Sequence, residues 1–349
     1  MAILIGVDEA GYGPNYGPLA IAATAWHIEQ APRAGEFIPP VFDLYKLLKK
    51  AVVRSPKDCT KRIAIADSKQ LYKPGLGLRQ LERGVLAALL ATSPTQSNCI
   101  EHVQALLAAT LADPHSRRHE LACHAGDSLP LPVDAVAEEI CELAALLRKS
   151  CAANGDTLLT VRARLIYPAE FNELVDHHGT KGAALSHVTL ALVREVVDSA
   201  APGGINPPAR PLHTDACSLQ PEAYSITLDK HGGRNRYGAI LQHHFPDSWI
   251  KTIDEGRSSS HYRWTHRESP IDATFRVGGE EALPTALASM TAKYHRELAM
   301  RAFNDFWTTR LPGLKPTAGY PNDAKRFRAE IASLQRELAI DDRMIWRNR

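Results

Sequence analysis

The chain has 349 residues, 44% apolar and 23% charged, and its 41 Lys+Arg against 39 Asp+Glu give a net charge of +2 beside 15 histidines. That balance excludes wholesale disorder, and no stretch approaches the roughly 20 consecutive apolar residues of a membrane helix. The length admits one large domain or two, and the near-neutral charge neither requires nor excludes a polyanionic partner, because cations can be segregated locally.

Residues 2–7 and 19–26 are apolar runs that predict strands buried on both faces, with the turn-forming Gly11-Tyr12-Gly13-Pro14-Asn15-Tyr16-Gly17-Pro18 between them. The start runs from apolar strand straight into acid and glycine, without the basic opening and small-residue cleavage site of a secretory leader, so a cytoplasmic protein is expected. Residues 63–66 predict a short strand ending at Asp67-Ser68-Lys69, and 76–91 set Leu78, Leu81, Val85 and Leu89 at helical spacing. Residues 92–132 have no clear period. Residues 133–152 predict an amphipathic helix, with Asp134, Glu138 and Glu139 early and Arg148 and Lys149 late, as the helix dipole favours.

Residues 158–167 alternate and predict a half-exposed strand, after which Pro168 opens a turn or helix. A helix is expected over 183–200, through Leu185, Val188, Leu192 and Val196, and a loop over 201–211. Residues 224–228 predict a strand ending at Asp229, and 237–244 another helix. Strands are expected at 249–253 and 273–277, separated by a basic, serine-rich segment; the longest helix covers 283–307 and the last 327–338. This succession predicts a mixed α/β protein. The six cysteines include no C-x-x-C pair, so thiols in a reducing compartment are expected.

Acids fall at the strand ends. Asp8 and Glu9 close the first strand, Asp229 a later one, and Glu280 and Glu281 follow a third, each beside glycine. Acids in such places also serve as solvated turn residues. If the strands are neighbours, however, the carboxylates converge and raise each other's pKa values. Hard divalent cations with oxygen ligands relieve that repulsion, and two ions about 4 Å apart make a site for in-line attack at phosphorus.

Asp8-Glu9-Ala10-Gly11-Tyr12-Gly13-Pro14, followed by Gly17-Pro18-Leu19, resembles the D-E-A-G-R-G-P…G-P-L opening of the type 2 ribonucleases H. Further pieces resemble that family in order. They are Asp67-Ser68-Lys69-Gln70-Leu71, Ile166-Tyr167-Pro168-Ala169-Glu170 before a long helix, and Ile226-Thr227-Leu228-Asp229. Then come Glu280 four residues before Pro284, Ala288-Ser289-Met290-Thr291-Ala292-Lys293, and Gly319-Tyr320-Pro321 with Asp323. Three places depart from the pattern: the family's Arg is Tyr12 here, its usual fourth Asp is Glu280, and the helix signature ends Tyr294-His295-Arg296-Glu297, a loose match to the family's acid after Arg.

The resemblance implies a ribonuclease H-like α/β fold, a mixed central sheet flanked by helices. It implies a catalytic domain over 1–310 with an accessory segment near 92–157 and an insertion near 254–272, and a substrate-contacting loop and helix over 311–349. It also implies an endonuclease that hydrolyses the RNA strand of RNA–DNA hybrids, or ribonucleotides embedded in duplex DNA, and leaves 5′-phosphate and 3′-hydroxyl ends. Asp8, Glu9, Asp229 and Glu280 would be the catalytic acids and would hold two Mg2+ or Mn2+ ions, with Glu281 competing for the last place. Gly11, Tyr12 and Gly13 would sense the 2′-hydroxyl, Tyr320 would contact the ribonucleotide, and Lys69 and Lys293 would hold phosphates or brace the acids.

Other readings stay open: a nucleic-acid-binding protein of the same fold with altered catalysis, or a related nuclease on another structured nucleic acid. A monomer is expected, with no membrane partner. Lys230, Arg234 and Arg236 directly follow the third acid. Together with Arg257, Arg263, Arg267, Tyr262 and Trp264 they read as cations interleaved with aromatics, which suits a phosphate backbone and base stacking. His115, His119, Cys123 and His124 have a spacing that could hold zinc if helical, whereas His177, His178, His243 and His244 read as surface histidines.

Overall fold

The computed structural model describes residues 2–29, 42–73, 75–93, 99–111, 117–200 and 223–348. Within them nine strands form: β1 (Ala2–Ala10), β2 (Leu19–Ile28), β3 (Val52–Val53), β4 (Ile63–Ala64), β5 (Thr157–Ile166), β6 (Ala223–Asp229), β7 (Lys251–Glu255), β8 (Ser259–His266) and β9 (Ser269–Arg276). The helices up to residue 152 are α1 (Leu44–Leu47), α2 (Ser68–Leu71), α3 (Arg79–Thr92), α4 (Val103–Thr110) and α5 (Ala137–Ala152). After them come α6 (Pro168–His178), α7 (Lys181–Ala200), α8 (Gly238–His244), α9 (Leu283–Arg310), α10 (Pro321–Glu337) and α11 (Asp342–Ile345). The loop expected over 201–211, Cys217 and His115 lie outside the described residues.

Seven strands make one mixed sheet in the order β5-β2-β1-β6-β9-β8-β7. β1 runs parallel to β6, and β6 to β9; the β1–β2, β2–β5, β8–β9 and β7–β8 pairs are antiparallel. The mixed α/β class with a helix-flanked sheet is therefore as expected. Both faces of β1 are buried because helices cover both. Ile3, Ile5 and Val7 join the apolar cluster that includes Leu192 and Val196 of α7 and Leu241 of α8. Ala2 and Leu4 join the cluster of α3, α5 and α9. Leu106 and Leu107 of α4 and Ile140, Leu143 and Leu147 of α5 belong to that same cluster, so these two helices of the 92–157 segment are packed into the core. A third cluster joins the end of α9 to α10 and α11 through Phe303, Trp307, Phe327 and Ile345, around Tyr16 of the first turn.

The long helix α9 crosses β1 so closely that only glycine fits at position 6: an added Cβ would lie 2.0 Å from the Thr285 backbone nitrogen. Backbone cannot swing aside as a side chain can. Gly6→Ala is therefore expected to destabilise the fold by about 2–3 kcal/mol, read as a lower urea midpoint; an unchanged midpoint would contradict this packing.

The basic segment expected between two strands is itself strand. In β8, Ser260, Tyr262, Trp264 and His266 alternate inward and are buried. Tyr262 and Trp264 are core residues and cannot stack on bases. Arg263 pairs with Asp272 at 2.8 Å and Arg267 with Asp198 at 3.4 Å, whereas Arg257 is exposed and has no such pair among the described residues.

Candidate active site

The parallel pairing of β1 with β6 aligns Val7 with Leu228, which sets Asp8 and Asp229 side by side at the carboxyl ends of both strands. The turn after β9 returns to the same edge. Its Gly279 N–H approaches Asp229 Oδ1 at 3.5 Å, and Glu280 follows. From the opposite side, Asp67 caps α2 by accepting from the Lys69 backbone N–H, and the Lys69 ammonium stands 3.8 Å from Glu280 Oε1. α9 passes behind, with the Ser289 hydroxyl 3.1 Å from that of Ser68 and within hydrogen-bonding reach of Asp8. Three strand ends and two helices thus bring Asp8, Glu9, Asp229 and Glu280 to one basin.

Electrostatics mark the basin as anionic and strained. Asp8 is 7% exposed. Burial, then repulsion from Glu9, push its carboxyl well above the ordinary carboxylate range, against the hydrogen bond from Ser289. Glu9 is pushed up to about 7 by burial and then by Asp229, with Lys69 pulling the other way. Burial also raises Asp229, and burial with the Asp229 charge raises Glu280. Burial opposes the Lys69 ammonium, but Asp67, Glu280, Asp8 and Asp229 together raise its pKa. In this arrangement no three of the acids bring one oxygen each within 4.8 Å of one another. All its donors are carboxylate oxygens, the set that suits hard divalent cations, and two ions about 4 Å apart span such a basin.

A carboxyl whose pKa rises on folding penalises the native state above its ordinary pKa, where the unfolded chain gives up the proton more readily. In chelator, Glu9→Gln should therefore stabilise the protein, with no gain below about pH 4.5 and a gain on the order of 1–3 kcal/mol by pH 7. Comparison with the unaltered chain removes the opposite trend of buried histidines such as His295, pushed down to about 4 by burial. Denaturant titrations at the two pH values check this; a gain that shrinks as pH rises would contradict it.

The turn after β1 lies against the basin. Gly11 has φ +86°, and a Cβ there would lie 2.4 Å from Arg296 Nε. The Gly11 and Pro14 carbonyls accept from the buried Arg347 guanidinium, which lies over the Phe171 ring. Gly13 is exposed. Tyr12 is half-buried, with the Lys181 ammonium 4.6 Å above its ring; burial, then the Glu9 charge, raise its hydroxyl pKa, and Arg234 opposes them. Gly319, just before the exposed Tyr320, docks on this turn by accepting from the Asn15 N–H at 2.7 Å.

Other expected residues are placed differently. Glu281 turns to the surface and pairs with Arg276 at 2.6 Å, leaving Glu280 as the acid at the basin. Lys230 is largely buried, and its ammonium donates to Asn235 Oδ1 (2.8 Å) and the Gly256 carbonyl, which braces the loop after β6. Arg236 is exposed, 3.8 Å from Glu255, and Arg234 is half-buried beside Tyr237. Lys293 donates to Glu297 at 2.6 Å and lies over the Tyr72 ring. The spacing that suggested zinc does not act as one helical face: Cys123 and His124 are buried on a short turn, and exposed His119 faces Asp127 at 4.0 Å. Sequence reasoning gave no role to Asp67, Ser289, Lys181 or Arg347. The first two stand inside quoted motifs, whereas nothing in the pattern of the last nine residues marks Arg347.

No family model matches the chain, and no curated protein does. Among solved structures, it is similar at 14% identity to that of the PCNA:RNase HII complex from Archaeoglobus fulgidus, over 99% of this chain and 94% of that one, with a TM-score of 0.39. It is also similar, at 14% identity, to the ribonuclease H2 from Pyrococcus horikoshii OT3 (98% and 92% covered, TM-score 0.42). A third likeness is to Bst-RNase HIII in complex with Mn2+ (14% identity, 99% and 66% covered, TM-score 0.36). At this distance the chemistry of the basin is read from the chain's own motifs and geometry.

Proposed function

We propose that the chain is a divergent type 2 ribonuclease H. In this reading it is a metal-dependent endonuclease that hydrolyses the RNA strand of RNA–DNA hybrids, or cuts at ribonucleotides embedded in duplex DNA, leaving 5′-phosphate and 3′-hydroxyl ends. The observation that carries the reading is the convergence of Asp8, Glu9, Asp229 and Glu280 beside the turn Gly11-Tyr12-Gly13. Those four acids would hold two Mg2+ or Mn2+ ions, which when bound supply activation of water and neutralisation of charge at phosphorus.

The protein's own share is positioning and charge. Gly13, exposed and with open space beside its Cα, would let a sugar come close to the backbone of this turn, where the 2′-hydroxyl separates RNA from DNA. Arg234 and Lys181 near Tyr12 set cations beside that turn for the strand's phosphates, and Lys69 does the same across the basin. Tyr320, 52% exposed on the far side of the turn, offers a ring to the ribonucleotide. We assign the chain a monomeric form in a reducing, cytoplasmic setting. No described helix is long and apolar enough to cross a membrane.

The test is a panel of three duplexes, a hybrid, a DNA with one ribonucleotide and plain DNA, each with Mg2+, Mn2+ or chelator. Cutting of only the ribose-containing strands, and only with metal, is the expected result. Cutting of plain DNA would favour a related nuclease, and binding without cutting a protein that kept the fold and altered its catalysis. In the same assay, Glu280→Gln is expected to lower turnover about 100-fold or more. Glu281→Gln, which loses only a surface ion pair, should stay within about twofold.

A further inference from the structure

Away from the acid basin, three helices bring five imidazoles to one patch. His177 and His178 close α6, His187 lies near the start of α7, and His243 and His244 close α8. The His178 ring stacks on that of His187 with centroids 4.0 Å apart, and the His243 ring meets His187 edge-on at 5.1 Å. His187 Nδ1 and His244 Nε2 share a hydrogen bond at 3.3 Å, whose proton an ion bound by both nitrogens would displace. One ring nitrogen from each of His187, His243 and His244 lies within 4.8 Å of the others, and among the described residues this is the one trio of His, Cys, Asp or Glu donors so closely gathered.

We infer that His187, His243 and His244 form a binding site for a borderline divalent transition ion, with Zn2+ the best fit. Three imidazoles without a carboxylate do not suit Mg2+ or Mn2+, whereas imidazole suits zinc, copper and nickel. Tetrahedral zinc with Zn–N of about 2.0–2.1 Å sets neighbouring nitrogens about 3.3–3.4 Å apart, the separation His187 and His244 already have. His243 is exposed, so its ring can swing inward as an ion enters from solvent, and water completes the fourth position.

The site would join the two elements that flank Tyr12. α7 begins at Lys181, whose ammonium lies over the Tyr12 ring, and α8 follows the loop that carries Arg234. Its donor chemistry differs from that of the acid basin, so the two sites fail or stand separately.

Equilibrium dialysis of the full chain against Zn2+, with Mg2+ in large excess to occupy oxygen ligands, tests the inference. One Zn2+ per chain is expected, with affinity lowered roughly tenfold or more by His187→Ala and by His243→Ala and unchanged by Asp8→Asn. Because His243 is exposed, its variant should keep the thermal midpoint of the unaltered chain. Co2+ should give the intense visible bands of a tetrahedral nitrogen site in the unaltered chain, and these should be absent in His243→Ala. No bound Zn2+, equal binding by His243→Ala, or loss of binding in Asp8→Asn would each overturn the site.

Discussion

Asp8→Asn is expected to lower cleavage of a ribonucleotide-containing duplex about 1000-fold or more, with substrate binding kept in place. Asp8 is the most enclosed acid of the basin, and its carboxyl carries more of the mutual repulsion than a surface acid would. The amide keeps the shape and can still meet the Ser289 hydroxyl, but it holds no negative charge for a cation. It also removes a buried carboxyl that folding pushes upward, so the metal-free variant should unfold no earlier than the unaltered chain at neutral pH. Turnover within tenfold of the unaltered chain would contradict Asp8 as a metal-holding acid.

Deletion of residues 341–349 is expected to cost about 4 kcal/mol and to reduce activity with it. The tail buries Ile345 fully and Trp346 in part, and Asn172 ties it down by donating to the Arg343 and Trp346 carbonyls. Full burial of one such aliphatic side chain contributes about 1.5–3 kcal/mol. The deletion also strips the Gly11 and Pro14 carbonyls of the Arg347 guanidinium, and the Asn15 carbonyl and side-chain amide of the Arg347 backbone. Unpaired buried acceptors cost about 1–3 kcal/mol each, part of which water recovers once the tail is gone. Arg347→Met should cost less than the deletion. It keeps the packing on Phe171 and removes a charge that burial and Arg296 already push down to about 9. A urea series on both variants checks the order; a deletion as stable as the unaltered chain would contradict the tail as the brace of the first turn.

Much of the architecture can be read from residue patterns where burial is uniform. β1 and β2 are apolar on the faces that meet helices and α9 on the face that meets the sheet, so their runs stand out. The amphipathic helix read over 133–152 starts only at Ala137, and ahead of it Val133, Asp134 and Ala135 give their N–H groups to the buried Glu82 carboxylate. β8 was hidden by its chemistry: its inward residues include Ser260 and His266, and its arginine and histidine partners read as a basic surface, although the alternation of Tyr262 and Trp264 is a strand signal. α10 begins at Pro321, well before the apolar residues that suggested 327–338, because a proline at the first helical position needs no apolar neighbour.

The acids were legible because each ends a strand beside glycine. Their convergence was not, since it depends on β6 pairing with β1 across more than 200 residues. Glu280 was expected as the fourth acid with Glu281 competing, and the turn faces Glu280 toward Lys69 and Glu281 toward Arg276. The fate of Lys230 likewise depends on Asn235 and Gly256, which no spacing rule connects to it.

The most direct test of the central claim is anomalous diffraction from crystals of the protein grown with Mn2+. Two Mn2+ ions about 4 Å apart, with Asp8 as a shared ligand and Glu9, Asp229 and Glu280 completing the oxygen set, are the predicted result. Manganese bound elsewhere, or bound without Asp8 and Asp229, would contradict the account.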